Sequence, residues 1–259
     1  MKKVYLGTIV ASICLSCSPA FALFTNGGFE TGTTSNWTVV SGQVQGSGAP
    51  IVWGVSGWGT GSGRADVITS ASANLYNQTL DVNPYNGSSM VRINDIDGNY
   101  DATMIFQEDN LTQQDLDDGG MLYVNWGAML VEPWNEHPAG DQPFFGINVY
   151  RNGVAISTFE ANALAHDADP TWILAGDDGY SSELWYKSGT WSFDISSFSL
   201  NDTIKIELFA ADCGWGGHGG YAFLDGIGTI NPVPEPTTML LFGTGLAGLA
   251  AVGRRRVRK

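Results

Sequence analysis

Apolar and polar residues alternate over much of the middle of the chain. In residues 121–131 and 203–211, an apolar side chain falls on the same face at every second position. A period of two is typical of a β-strand with one buried face. Similar composition predicts further strands over residues 37–44, 74–82, 88–93, 103–108, 144–151, 154–160, 185–194 and 221–230. About ten strands without alternating helices predict an all-β fold, an antiparallel β-sandwich, because parallel strands would need crossover helices.

Turn residues separate these segments. The pair Asn152-Gly153 lies between two predicted strands and predicts a hairpin. Residues 95–101 place oxygen-bearing side chains at alternate positions around Gly98, but they lack the distant Glu of a calcium-binding EF-hand loop. An Asp-Gly hairpin between strands 88–93 and 103–108 is the simpler interpretation. Residues 46–64, 132–142 and 161–184 are predicted to be long irregular loops, which usually have a function or move.

The N-terminal residues have the order of a secretory signal peptide. Lys2 and Lys3 precede an apolar run over residues 4–15, and Ala20-Phe21-Ala22 has the small residues that a signal peptidase recognises. We therefore predict that residues 1–22 are removed, and that one domain covers residues 23–231.

The C-terminal residues have three consecutive parts. Pro234-Glu235-Pro236 is followed by an uncharged run over residues 237–253 and by a basic tail over residues 254–259, which contains Arg254, Arg255 and Arg256. As a helix, the uncharged run would rise about 25 Å, which is just enough to cross a bilayer. The basic tail is expected on the cytoplasmic side. We predict a single transmembrane helix here.

This three-part order resembles the PEP-CTERM sorting signal, over residues 232–259. The resemblance implies processing by the membrane enzyme exosortase. It implies an inner-membrane-anchored precursor that passes transiently through the inner membrane and is then released to the cell envelope or the extracellular space. It also implies an association with exopolysaccharide or a biofilm matrix.

The net charge of the predicted domain excludes some classes of binding partner. Seven of the 12 Lys and Arg residues lie in the two processed ends, so residues 23–231 keep five basic against 25 acidic residues, a formal charge of −20. Such a surface repels nucleic acid and anionic lipid, which excludes nucleic-acid binding, and it can hold divalent cations. Cys213 is the one cysteine outside the signal peptide, so no intrachain disulfide is expected in the mature chain.

Two segments at the ends of the predicted domain suggest a metal site. Residues 26–30 read Asn-Gly-Gly-Phe-Glu, and residues 221–225 read Tyr-Ala-Phe-Leu-Asp. The pair resembles galactose-binding-like jelly rolls found in carbohydrate-binding modules, which implies a jelly-roll sandwich and a structural calcium ion held by Glu30 and Asp225. Calcium prefers oxygen ligands that include carboxylates. The alternative is that Glu30 is a surface turn residue and Asp225 a strand-end cap.

A glycine-rich segment over residues 212–221 is the most unusual part of the chain. It resembles the Asp-Cys…Gly-His-x-Gly-Tyr loop of a group of exported bacterial jelly-roll domains, and residues 132–137 and 142–145 resemble a second loop of that group. These segments supply the candidate ligand-binding residues Trp134, His137, Asp212, Trp215 and His218. A metal or catalytic site of His137, Cys213, His218 and Asp212 is one possibility, but neither histidine has the short paired spacing of a zinc site. The sequence favours a structural role instead, with Cys213 buried and His218 bonded to the backbone.

Three functions agree with these features. The first is a non-catalytic exported protein, a matrix component or a module that binds extracellular polysaccharide. Five tryptophans in loop-like segments are candidates for stacking on sugar rings or for filling the core: Trp53, Trp58, Trp134, Trp172 and Trp215. The second is a carbohydrate-active hydrolase or lyase on a β-sandwich, but no pair of catalytic carboxylates is assignable from sequence. The third is a structural adhesin that binds other proteins.

Overall fold

The structure, a computed structural model, describes residues 23–44, 55–59, 64–73, 80–97, 100–132, 137–138, 141–177 and 182–229. The predicted signal peptide, the Pro-Glu-Pro motif, the predicted transmembrane helix and the basic tail lie outside these residues. The signal peptide and the transmembrane helix stay predictions. Within the described ranges, no helix is long and apolar enough to span a membrane.

The described part of the chain is almost entirely β-structure. One short α-helix, α1, covers Gln113–Asp117, and a 3₁₀ helix covers Ala163–Asp167. The strands are β1 (Thr38–Val44), β2 (Val55–Gly59), β3 (Ala65–Ile68), β4 (Ala71–Ala73), β5 (Leu80–Val82), β6 (Met90–Ile93), β7 (Asp101–Asn110), β8 (Met121–Glu132), β9 (Phe144–Arg151), β10 (Val154–Asn162), β11 (Ile173–Asp177), β12 (Glu183–Asp194), β13 (Thr203–Ala211) and β14 (Gly220–Gly228).

Twelve of these strands form two six-stranded sheets. Sheet A has the order β10-β9-β13-β7-β1-β2, and sheet B has the order β11-β12-β8-β14-β6-β3. All pairings within them are antiparallel. Strands β4 and β5 form a separate hairpin. The prediction of an antiparallel β-sandwich is confirmed.

The main hydrophobic core lies between the two sheets. Alternate residues of β8 and β13, including Val124, Leu130, Ile206 and Leu208, are fully buried there. A second apolar cluster, which includes Met129, Tyr221 and Phe223, lies on the opposite face of sheet B, together with residues of the β4-β5 hairpin. Sheet B is therefore apolar on both faces, and only its inner face belongs to the sandwich core.

The two ends of the predicted domain lie side by side. The amide of Ile227 donates a hydrogen bond to the carbonyl oxygen of Gly27 at 3.0 Å. A Cβ atom at Gly27 would lie 1.9 Å from the carbonyl oxygen of Ile227, so only glycine permits this approach. The segment that contains Glu30 is thereby fixed against β14, which contains Asp225.

Local turn signals predicted one connection correctly and another wrongly. Strands β9 and β10 form the predicted hairpin, and Asn152 and Gly153 have the positive φ angles of 50° and 78° that its turn requires. The predicted hairpin over residues 95–101 is wrong, because β6 belongs to sheet B and β7 to sheet A. This connection crosses between the sheets, a long-range arrangement that the local Asp-Gly signal does not encode.

Two predicted loops and one candidate sugar-binding residue also need correction. The predicted loops 46–64 and 161–184 contain the edge strands β2 and β11, which lack a clear alternation of apolar and polar residues. Trp172 is buried in the main core with 6% exposure, so it is not a sugar-stacking surface. The structure does not describe Trp53 or the side chain of Trp58.

Candidate functional site

A cavity of about 170 Å³ opens on the outer face of sheet B. Its floor is formed by β8, β12 and β14, and the segment that connects β5 to β6 borders it. The lining combines aromatic rings with short polar side chains. The lining residues include Tyr85, Asn125, Tyr186, Ser188, Thr190, Phe223 and Asp225.

Glycine creates space in the cavity floor. Gly127 of β8 pairs with Ser188 of β12 on one side and with Phe223 of β14 on the other. A Cβ atom at this position would lie 3.0 Å from the hydroxyl oxygen of Tyr186. The absence of a side chain therefore makes room for the ring of Tyr186, which lies over the backbone of Gly127. Tyr85, 42% exposed, lines the same cavity from the β5-β6 connection.

Two buried polar atoms in the lining have no hydrogen-bond partner among the described residues. Asn125 accepts a hydrogen bond at its Oδ1 from the hydroxyl of Thr190 at 2.6 Å, while its Nδ2 atom has no acceptor. Asp225 accepts a hydrogen bond at Oδ2 from the amide of Asn86 at 2.8 Å, while its Oδ1 atom has no donor. An unpaired buried polar group costs about 1–3 kcal/mol. A ligand that both donates and accepts hydrogen bonds would relieve this cost.

The environment of Asp225 favours its neutral form. Burial raises the pKa of its carboxyl group from 3.8 to about 7, and the negative charge of Glu30 also raises it. Hydrogen bonds from backbone amides, including that of Asn86, act in the opposite direction. The carboxyl group therefore changes its charge near neutral pH, which is unusual for an aspartate.

Glu30 and Asp225 both contact the turn between β5 and β6. Glu30 accepts hydrogen bonds from the amides of Ser88 and Ser89, both at 2.9 Å, and from the hydroxyl of Ser88 at 2.8 Å. Asp225 accepts its bond from Asn86 in the same turn. Two carboxylates close enough to interact fit a cation such as calcium. The calcium site stays a prediction.

A second cluster of chemically active side chains lies at the start of β14. His137, Cys213 and His218 each offer one ligand atom, and no two of these atoms are more than 4.8 Å apart. Cys213 Sγ lies 3.6 Å from His218 Nδ1. The ring of His137 lies against the rings of Trp215 and His218, with centroid separations of 4.7 and 4.9 Å. Sequence analysis therefore identified residues in two distant loops that the fold brings together.

The other predicted residues of these loops differ in role. Asp212 is fully buried, and it accepts hydrogen bonds from the side chain of Asn94 and the amide of Asp101, both at 2.9 Å. These bonds give it a structural role in joining the end of β13 to the β6-β7 connection. Trp215 is 49% exposed and donates a bond from Nε1 to Asp141 at 2.8 Å. Trp134 lies outside the described residues.

Sequence reasoning missed the cavity on sheet B, apart from Asp225. Asn125 and Gly127 lie on the outer face of β8, between apolar residues that alternate toward the core. A polar residue followed two positions later by glycine, on the outer face of a central strand, was the available signal. The segments that complete the cavity are distant in the sequence, so the signal alone does not locate a site.

Comparison with protein families gave one match, at the C-terminus. Residues 232–256 match the family model for the PEP-CTERM protein-sorting motif. The C-terminal segment is a PEP-CTERM sorting motif. The match confirms the resemblance over residues 232–256. A PEP-CTERM motif implies export by way of a membrane-anchored precursor. A search of curated proteins found no significant match.

Solved structures with a similar arrangement of strands include carbohydrate-binding modules and an enzyme. TmCBM61, solved with β-1,4-galactotriose, shares 16% identity over 79% of this chain and 94% of its own, with a TM-score of 0.38. CBM27-1 of Caldicellulosiruptor saccharolyticus, solved with mannohexaose, shares 12% identity over 78% and 93%, with a TM-score of 0.34. An apo cyclase from Fischerella sp. shares 13% identity over 79% and 92%, with a TM-score of 0.38.

Proposed function

We propose that this chain is a non-catalytic exported protein that binds an extracellular polysaccharide in the cavity on the outer face of sheet B. The observation that carries this proposal is the pairing of an unbonded donor, Asn125 Nδ2, with an unbonded acceptor, Asp225 Oδ1, in a lining that also contains aromatic rings. Sugars present both an apolar ring face and hydroxyl groups that donate and accept. The cavity offers partners for each.

The dimensions of the cavity limit how much of a glycan it holds. A volume of about 170 Å³ is below the range of about 300–1,000 Å³ that is usual for drug-sized ligands. The cavity therefore receives roughly one sugar ring, and the rest of the chain lies along the open face. Tyr85 and Tyr186 are the rings best placed to contact it.

The charge of the domain indicates the class of glycan. Residues 23–231 have a formal charge of −20, so an acidic polysaccharide would be repelled at low salt. A neutral glycan avoids this repulsion. We therefore expect neutral oligosaccharides to be preferred, with exosortase and signal peptidase as the processing partners during export to the cell envelope.

Calcium belongs to the same proposal as a structural ion. An ion between Glu30 and Asp225 would neutralise two nearby carboxylates and fix the turn that borders the cavity. Calcium would stabilise the edge of the binding site, with no direct role in chemistry.

A glycan array tests this function. The full-length chain, purified in detergent, is applied with and without a chelator to neutral and acidic glycans. Asn125→Ala removes one hydrogen bond, so binding should weaken by about 1–2 kcal/mol, or roughly 5–30-fold. Asn148→Ala is the matched control, because Asn148 lies on sheet A and bonds to Glu207. No binding to any glycan, or equal weakening by both variants, would contradict the proposal.

A further inference from the structure

We infer that His137, Cys213 and His218 form a binding site for a zinc-like transition-metal ion. The site shares no residue with the cavity on sheet B. Its three side chains come from two loops that are about 75 residues apart in the sequence, and the fold places their ligand atoms within 4.8 Å of one another.

The distance between two of the ligand atoms fits a metal ion. Zinc binds cysteine sulfur at about 2.3 Å and histidine nitrogen at about 2.0–2.1 Å, usually with tetrahedral geometry, so sulfur and nitrogen bound to one ion lie about 3.5 Å apart. Cys213 Sγ and His218 Nδ1 are 3.6 Å apart. A small movement of His137 toward this pair completes a three-ligand site.

His137 supplies a second and independent observation. It is 6% exposed, and its Nδ1 atom is buried with no hydrogen-bond partner among the described residues. An imidazole nitrogen without a partner in a buried position is costly. The thiol-imidazole contact of Cys213 and His218 does not account for it, whereas coordination of a metal ion by the cluster would.

The chemistry of the three ligands selects the class of ion. One thiolate and two imidazoles are borderline-soft ligands that suit zinc and copper, while calcium and magnesium prefer oxygen ligands. Three protein ligands leave one position of a tetrahedral ion for water or a small ligand. Binding displaces the proton of the Cys213 thiol, which goes to solvent.

The loop around the cluster is held firmly by the surrounding structure. The amide of Cys213 donates to the carbonyl oxygen of His218 at 2.9 Å, which fixes the turn between these two ligands. The hydroxyl of Tyr100 donates to the carbonyl oxygen of Trp215 at 2.7 Å. Gly216 has a φ angle of 76°, and a Cβ atom there would lie 2.6 Å from the Tyr100 ring. Such support positions ligands before the ion binds.

A catalytic thiol is a poorer explanation of the same cluster. Burial raises the pKa of the Cys213 thiol, and the nearby charge of Asp212 raises it further, although backbone amides oppose both effects. Reactive cysteines have a lowered pKa and partial exposure. Cys213 is fully buried, so it lacks both properties of a nucleophile.

Metal titration of the full-length chain tests the site. After treatment with a chelator and removal of free metal, the protein is titrated with Zn²⁺, and with Co²⁺ as a spectroscopic probe. We expect one tightly bound ion per chain and a thiolate-to-cobalt charge-transfer band. Cys213→Ser should abolish the band, and His137→Gln and His218→Gln should weaken metal affinity by at least tenfold. His218 is only partly buried, so its variant should fold even if the others do not.

The third histidine supplies a matched control. His166 stacks on Trp185 at a centroid separation of 4.0 Å and does not belong to the cluster. His166→Gln should bind Zn²⁺ as the wild type does. The inference would be overturned if the wild type bound no more zinc than Cys213→Ser, if the cobalt complex lacked a charge-transfer band, or if His166→Gln lost affinity as much as His218→Gln. Glycan binding is measured separately, so it does not affect this result.

Discussion

The carboxyl group of Asp225 should make the stability of the domain depend on pH in an unusual direction. Its pKa is about 7 in the folded protein, because the group is buried near the charge of Glu30, and 3.8 is its ordinary value. Above pH 3.8 the unfolded chain therefore releases a proton that the folded chain retains. Stability falls as the pH rises from about 4 to about 7, and it levels off above that range. Most aspartates that accept hydrogen bonds act in the opposite direction.

The magnitude follows from the size of the shift. Each pKa unit corresponds to about 1.4 kcal/mol, so a shift of about three units corresponds to at most about 4 kcal/mol over the whole range. Between pH 5 and pH 7 the loss should be about 2.3 kcal/mol, because the folded carboxyl group is itself half ionised at pH 7. Asp225→Asn removes the charge and keeps an oxygen that accepts the amide of Asn86. The variant should therefore lose this part of the pH dependence.

Urea unfolding at pH 5 and pH 8, with chelator present, measures the effect. The difference between wild type and Asp225→Asn at pH 8, minus the same difference at pH 5, isolates Asp225 from the other titrating groups. We expect the variant to gain about 2–3 kcal/mol relative to wild type at pH 8. Asp117→Asn, on the exposed surface of α1, should give no such change. Parallel pH curves for wild type and Asp225→Asn would refute the reasoning.

Three further predictions concern the ion, sorting and the chain ends. Calcium at 100 times its dissociation constant should stabilise the protein by about 2.7 kcal/mol, which a thermal melt would detect as a rise of several degrees, and Asp225→Ala should abolish the rise. Replacing Pro234-Glu235-Pro236 by three alanines should cause the uncleaved precursor to accumulate in the membrane fraction, seen by immunoblotting; equal release of both forms would contradict this. Gly27→Ala should cost more than about 3 kcal/mol in urea unfolding, because its Cβ would clash with Ile227, whereas Gly189→Ala meets only ordinary contacts and should cost less than about 1 kcal/mol.

The sequence was sufficient for the fold class and for most strands, because their signal is local. The alternation in β8 and β13 placed their buried faces correctly, and Asn152-Gly153 identified the β9-β10 turn. The edge strands β2 and β11 were missed, since their sequences lack a clear alternation of apolar and polar residues. The crossing between β6 and β7 was also missed, because the assignment of strands to different sheets depends on contacts far apart in the sequence.

The two candidate sites differ in how far the sequence could predict them. His137 and His218 were identified from unusual loops, but only the fold shows that His137 lies beside Cys213 and His218. The cavity on sheet B depends on Gly127 in β8, on β12 and on the β5-β6 connection at once. No local pattern encodes that convergence, because each segment alone has an ordinary strand or turn composition.

The location of a bound glycan tests the central claim most directly. A crystal structure of the chain with a neutral oligosaccharide selected on the array should show one sugar ring in the cavity on sheet B. A hydroxyl group of this ring should lie within hydrogen-bond distance of Asn125 Nδ2, and the ring should contact Tyr85 or Tyr186. A glycan bound at another surface, with the cavity unchanged, would contradict the account.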